Sequence, residues 1–206
     1  MDLLVATRNP GKLRELNQLL SGLPIRAISL AEAGICEDIP ETGRTFVENA
    51  TLKARGYAAL SGLTTLADDS GLEVDALGGA PGVQSARWAG PHASDMDRIL
   101  LLLERLQGVP PQQRGAQFRC VVAIATPSLE VCTTEGIVRG QIIDQPRGSH
   151  GFGYDPVFFI PECGLTMAEL EPEEKNRISH RARALQAARP ILARLAAEVR
   201  EDECLA

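Results

Sequence analysis

Apolar residues follow two periods along this chain, and the alternation between them predicts its elements. Leu3 to Ala6 is a short uninterrupted apolar run, read as a buried strand, and Pro10-Gly11 closes a tight turn after it. Leu13, Leu16, Leu19 and Leu20 then recur at helical spacing, and Ile25 to Leu30 reads as a second strand. Thr45 and Glu48 form a Thr-x-x-Glu capping box heading a helix that runs to about Leu60. The run Leu63 to Ala67 predicts another strand, delivering Asp68-Asp69-Ser70 to a sharp bend at Gly71.

Beyond that bend, Gly78-Gly79-Ala80-Pro81-Gly82 is too rich in glycine for regular structure. Ser94 is a predicted N-cap, with Asp95 and Asp97 in the first turn. Ile99, Leu100, Leu103 and Leu106 form the apolar stripe, which Gly108 and Pro110 end. Phe118 to Thr126 and Glu130 to Arg139 are β-rich and joined by a hairpin at Pro127-Ser128, and Val157 to Ile160 is a further short strand. Ser179 caps a last helix carrying Leu185, Ile191, Leu192 and Leu195, which Pro190 should bend or break. The expectation is an α/β chain with a mixed central sheet and flanking helices, one domain over residues 1–206 without repeat or linker.

Composition narrows the class without naming it. The 206 residues are 44% hydrophobic and 23% charged, ordinary for a globular protein able to bury a core. A net charge of -6 and the lack of any basic tract argue against wrapping a nucleic-acid backbone, though a few placed cations can still hold a polyphosphate. Cys36, Cys120, Cys132, Cys163 and Cys204 are odd in number and contain no Cys-x-x-Cys pair, so reduced thiols in a cytoplasmic protein are expected, with no structural zinc. No leader-like start and no membrane-length apolar run is read from the sequence.

Four segments carry candidate chemistry. Asp68 and Asp69 end a predicted strand, where carboxylates commonly serve a metal or a reacting water; strand alternation sends them to opposite sides, one to the site and one to a structural task. Thr7-Arg8-Asn9-Pro10-Gly11-Lys12 lies at a strand-to-helix turn, where N–H groups and the helix dipole suit phosphate, although neither a Walker nor a dinucleotide fingerprint is present. Gly151-Phe152-Gly153-Tyr154-Asp155 sets two aromatic rings between glycines, with a carboxylate that could accept from a base or ribose. Lys175 and the helix-start group Ser179-His180-Arg181 add cationic donors, while Glu41 and Lys53 flank or occupy the second helix. Glu48 is explained by the capping box, and Trp88 by packing. Acid for a cation, base for an anion and rings for a ring together describe a site for a magnesium nucleotide.

At this point the chain resembles, over nearly its whole length, the dITP/XTP pyrophosphatase family, also called inosine triphosphate pyrophosphatases. The matching segments are ATRNPGKLREL, ETGRTFVENATLKA, LADDSGLEVDALGGAPGVQSARWAG, GFGYDPVFF and EEKNRISHRARAL, all in order. Arg8 departs from the pattern, standing where glycine is frequent. The resemblance implies an elongated α/β fold of two lobes around a cleft and a homodimer. It implies that Thr7 to Lys12 hold the triphosphate and that Asp69 is both general base and Mg²⁺ ligand, with Glu41 a second ligand. Ser70 would touch substrate, Lys53 would steady the departing pyrophosphate, and Phe152 to Asp155, Lys175, His180 and Arg181 would surround the nucleoside.

The implied reaction is Mg²⁺-dependent hydrolysis of dITP, ITP or XTP to the monophosphate and pyrophosphate. N–H donors from Arg181, His180 or backbone would read the purine 6-keto oxygen and reject the 6-amino group of ATP. A Maf-like pyrophosphatase acting on pyrimidine or modified nucleotides is the alternative of the same chemistry. A non-catalytic purine sensor is the alternative of another class.

Overall fold

The computed structural model describes residues 1–205, with side-chain placement through Val199. Its core is one seven-stranded sheet in the order β2-β1-β3-β4-β5-β6-β7. The strands are β1 (Asp2–Val5), β2 (Arg26–Ser29), β3 (Thr64–Val74), β4 (Gly115–Ala125), β5 (Val131–Ile142), β6 (Phe158–Ile160) and β7 (Leu165–Thr166). The helices are α1 (Pro10–Leu20), α2 (Phe46–Ser61), α3 (Asp95–Arg105), α4 (Pro172–Ile178) and α5 (His180–Leu205).

β1 pairs in parallel with both β2 and β3, as strands joined through crossover helices must, whereas β6 pairs antiparallel with β5 and β7. The sheet is therefore mixed, as the sequence predicts.

By its internal contacts the chain divides into two compact units. The first comprises residues 1–69, 120–136 and 181 onward; the second comprises 70–119 and 137–180. Each has its own apolar core. Leu3, Val5, Leu16, Leu66, Val122, Leu185 and Leu192 bury in the first unit, and Leu72, Ile99, Leu102, Phe118, Tyr154, Phe158 and Met167 in the second. β3 and β4 each contribute residues to both.

Several expectations need correction. β3 does not end in a bend at Gly71 but continues to Val74, because Leu72 and Val74 are fully buried and hold the strand straight on. The Thr45 box is half made: the Thr45 hydroxyl accepts from Glu48 N–H, but the Glu48 carboxylate accepts from Arg44 N–H instead of closing onto Thr45. α5 runs through Pro190 without breaking. The β4–β5 hairpin forms as predicted, closed by Thr126 N–H to Glu130 O at 3.0 Å. Among the described residues, no helix is long and apolar enough to cross a membrane.

Candidate active site

The parallel β1–β3 pair brings the first cluster together. Val5 is in register with Leu66, so Asp68 and Asp69 lie just past the point where β1 gives way to the turn Thr7–Asn9. As alternation requires, the two carboxylates meet different partners. Asp68 is fully buried: its Oδ2 lies 2.9 Å from Lys12 Nζ and accepts from Nε and Nη2 of Arg181, both at 3.3 Å. Asp69 accepts from the Asn49 side chain at 3.0 Å through Oδ2, while its Oδ1 lies 3.9 Å from Lys53 Nζ.

Lys53 is the hub of the Asp69 side. Its ammonium donates to Glu41 Oε1 and to the Asp68 carbonyl, each at 2.6 Å. Burial alone would depress its pKa, yet the charges of Asp68, Asp69 and Glu41 outweigh that and raise it, so Lys53 stays protonated. For Asp68 the same contest is won by Lys12, Arg181 and Lys53, which hold the carboxyl well below the usual carboxylate range despite burial. For Asp69 burial wins, helped by the nearby Glu41 charge and only partly offset by Lys53, Lys12 and the Asn49 bond; its pKa is raised. Two adjacent acids thus differ in kind: Asp68 is a neutralised structural anion, and Asp69 is a buried but more basic one.

Asn49 was not singled out by sequence and is the residue that sets Asp69. It is completely buried, accepts from Gly43 N–H at 2.8 Å through Oδ1, and donates to Asp69 through Nδ2. A backbone donor on one side and a carboxylate on the other allow only that amide orientation. The signal was legible in outline: Phe46, Asn49, Ala50, Lys53, Ala54 and Tyr57 form a helical stripe, and its polar members sit among small and aromatic residues that bury.

The phosphate turn differs from expectation. The Asn9 side chain accepts from Gly11 N–H at 2.8 Å and Lys12 N–H at 3.1 Å, so it caps α1 with the amides expected to point outward. Pro10 has no N–H. Arg8 is turned to the 35–38 loop, donating to Asp38 at 2.6 Å and to the Glu37 carbonyl at 2.9 Å. Thr7 Oγ1 accepts from Asn9 N–H at 3.2 Å. Of this segment, Lys12 is the residue the structure brings to the acids.

Arg181 also departs from expectation. It is 1% exposed, and besides Asp68 it donates through Nη1 to Glu15 on α1; the charges of Asp68 and then Glu15 raise its pKa against burial. The guanidinium therefore ties α5 to α1 and β3 and is not placed as an open donor for a base.

The second unit carries the aromatic turn. Asp155 is buried and its Oδ2 accepts from Lys175 Nζ at 2.6 Å and from Phe152 N–H at 2.9 Å. The Lys175 ammonium lies 4.9 Å from the Phe152 ring centroid, a cation–π arrangement. α4, which bears Lys175, was not predicted; Pro172 at its start and three charged residues after it mask a helix of two turns. Tyr154 is a correction: it is 4% exposed within the apolar core, its hydroxyl donating to Ser85 O at 3.0 Å, so it anchors the turn instead of offering a ring face. Phe152 is half-buried. His180 is buried and stacked on Phe118 with centroids 4.8 Å apart. Ser70 is half-buried beside Asp69.

Whether the acids suit a cation can be judged from their chemistry. Among the described residues no group of three or more carboxylate, imidazole or thiolate side chains forms a ready-made cage. Asp69 and Glu41 do face one shared ammonium, a place where positive charge is already stabilised. Two carboxylates fit Mg²⁺, which keeps several waters and takes its remaining ligands from substrate phosphates.

The Ham1 family model matches residues 3–191. A dITP/XTP pyrophosphatase of Geobacter sulfurreducens is 52% identical over 183 residues, covering 89% of this chain and 92% of the relative. One of Bacillus subtilis is 49% identical with the same coverage. Among solved structures, a HAM1 protein from Coxiella burnetii superposes with a TM-score of 0.82 at 43% identity, covering 98% of this chain and 99% of that one. The Staphylococcus aureus Ham1 protein gives 0.83 at 40% identity, covering 96% and 100%.

Proposed function

This chain belongs to the Ham1 family, and we propose that it hydrolyses the nonstandard purine nucleoside triphosphates dITP, ITP and XTP to the monophosphate and pyrophosphate. The carrying observation is the Asp69–Lys53–Glu41 cluster: Lys53 Nζ lies 2.6 Å from Glu41 and 3.9 Å from Asp69, with the pKa of both Lys53 and Asp69 raised. The substrate class has two chemically distinct ends, a polyphosphate and a purine base.

At the phosphate end, water adds across the α–β anhydride; its oxygen bonds to phosphorus, the bridging P–O bond breaks, and pyrophosphate leaves. Asp69 takes the proton from that water, a task for which its raised pKa suits it better than that of Asp68. Mg²⁺, held by Asp69 and Glu41, would neutralise phosphate charge and polarise the reacting groups. Lys53 and Lys12 supply fixed positive charge for the departing pyrophosphate.

At the base end, Phe152 offers a ring face, and Lys175 and His180 are the N–H-bearing side chains suited to the 6-keto oxygen of inosine and xanthosine. A 6-amino group in ATP presents a donor where an acceptor is needed, and such mismatches can reach about 10⁴-fold. We place the enzyme in the cytoplasm on its scattered, unpaired cysteines and as a homodimer on the resemblance of its motifs; light scattering on the purified chain tests the assembly.

The direct test is pyrophosphate release from dITP, ITP, XTP, GTP, ATP, UTP and dTTP, with Mg²⁺ and with excess chelator. Release from dITP, ITP and XTP that stops on chelation is expected. Equal rates with ATP and ITP, or faster release from UTP and dTTP, would overturn the reading.

A further inference from the structure

The turn Gly151–Asp155 is held from within and from several remote segments. Asp155 gathers the Phe152 amide and the Lys175 ammonium, and the Tyr154 hydroxyl reaches the Ser85 carbonyl. A further fastening is the amide of Gly153, which donates to Asp95 Oδ2 at 2.7 Å across 58 residues of sequence. Asp95 opens α3, and its other oxygen accepts from Arg98 Nη1 at 2.5 Å; Arg98 Nη2 in turn donates to the Ala93 carbonyl at 2.7 Å.

α3 does not need Asp95 for its own start. Ser94 caps it, and Ser94 with Asp97 closes a complete capping box, leaving Asp95 a residue whose side chain is 47% exposed and not part of any core. Its geometry is nonetheless fully determined: one oxygen is braced by an arginine one turn along, and the other meets a single backbone amide. A charge-assisted bond to that amide fixes the 152–153 peptide plane, and with it the direction in which the Phe152 ring projects. Gly153 sits at φ 63°, where an unfastened peptide swings with little resistance from glycine.

We propose that Asp95 is a positioning residue for base recognition: braced by Arg98, it fastens the Gly153 amide and so presents Phe152 to the purine. This rests on the reading that the Gly151–Asp155 turn takes the nucleoside end of the substrate. Asp95 touches no reacting atom, so its effect belongs in affinity for the base-bearing part and not in the bond-breaking step.

The test compares wild type, Asp95→Ala, Asp95→Asn and Arg98→Ala for KM and kcat with ITP, and for inhibition by its two products, IMP and pyrophosphate. In Asp95→Ala, KM and the IMP inhibition constant should rise together by about 3- to 10-fold. That rise should exceed any fall in kcat, and the pyrophosphate inhibition constant should stay within about twofold, because it reads the Lys12 and Lys53 charges. Asp95→Asn keeps an oxygen acceptor and should recover most of the loss. Arg98→Ala, which keeps the acceptor but removes its brace, should move the same two constants by less. Unchanged KM and IMP inhibition in Asp95→Ala, or equal losses for IMP and pyrophosphate, would overturn the proposal. A wild-type chain that releases no pyrophosphate from dITP sinks the functional reading instead; IMP binding by calorimetry needs no turnover and still judges Asp95.

Discussion

The carboxylate of Asp68 accepts from both Nε and Nη2 of Arg181 at 3.3 Å, and neither side chain is more than 1% exposed. A buried pair of this kind is set between desolvation and attraction, and removing one partner strands the other's charge, at about 3–5 kcal/mol. Asp68→Asn should therefore lower the unfolding free energy by roughly that amount. Asp69 has the opposite balance, since burial already disfavours its charge. Asp69→Asn should leave stability within about 1 kcal/mol of wild type while lowering kcat by about 10²–10⁴-fold. Urea unfolding beside dITP turnover separates the neighbours. Equal stability losses would erase the division of labour between them.

Asn49 predicts a loss without loss of contact area. In Asn49→Asp the shape is kept, but the donor to Asp69 Oδ2 becomes a second carboxylate where the amide lay 3.0 Å away. A partner that orients a ligating carboxylate typically contributes about 10–100-fold, so kcat at saturating dITP and Mg²⁺ should fall by that factor. Asn49→Ser, a shorter side chain, should fall comparably. Wild-type kcat in Asn49→Asp would remove Asn49 from any role in setting Asp69.

Much of this was legible in the chain because local rules and the fold agree. The helix stripes, the Pro127-Ser128 hairpin and the strand that carries Asp68 and Asp69 follow from period and turn chemistry alone, although that strand runs on past the acids to Val74. What escaped depends on partners distant in sequence. Nothing in the string Asp68-Asp69 says which acid meets Arg181, 113 residues away, or that the guanidinium is buried in that pair. Tyr154 reads as a ring platform from its glycine neighbours, but the apolar core of the second unit claims it. Asn9 reads as a phosphate contact, yet an asparagine before Pro-Gly is equally an N-cap, and the local bond won. Asp95 looks like first-turn charge for a helix dipole, and only the fold reveals its second task.

Gly151 has no room for a side chain. A Cβ there would stand 2.1 Å from Asp155 Oδ2 and 3.0 Å from Lys175 Nζ, and its φ of 78° already disfavours any L residue. Gly151→Ala should separate the Asp155–Lys175 pair or displace the Phe152 amide, and raise KM for dITP more than it lowers kcat. The buried pair makes a stability loss of about 2–4 kcal/mol the accompanying outcome, read by thermal or urea unfolding. A variant with unchanged KM and stability would show that the turn tolerates a wider shape than these contacts allow.

Cys120 supplies a pH dependence with a definite sign. Its thiol is fully buried, and burial, with the Asp68 charge behind it, pushes its pKa up to about 12. In the unfolded chain a cysteine titrates near about 8.5. Below that value the thiol is protonated in both states and its contribution to stability is complete. As pH rises further the unfolded chain releases the proton while the folded one keeps it, so stability falls by up to about 1.4 kcal/mol per pH unit until the folded group also titrates. Tyrosines and lysines titrate in the same window, so the readout is a difference: unfolding free energy between pH 9 and 11 should fall more steeply for wild type than for Cys120→Ala. Exposed Cys36, Cys132 and Cys163 provide the control, since they should react with an alkylating reagent at pH 8 while Cys120 does not. Parallel stability curves, or alkylation of Cys120 at the rate of the exposed thiols, would mean that the packing around Asp68 is looser than its ion pairs with Lys12 and Arg181 require.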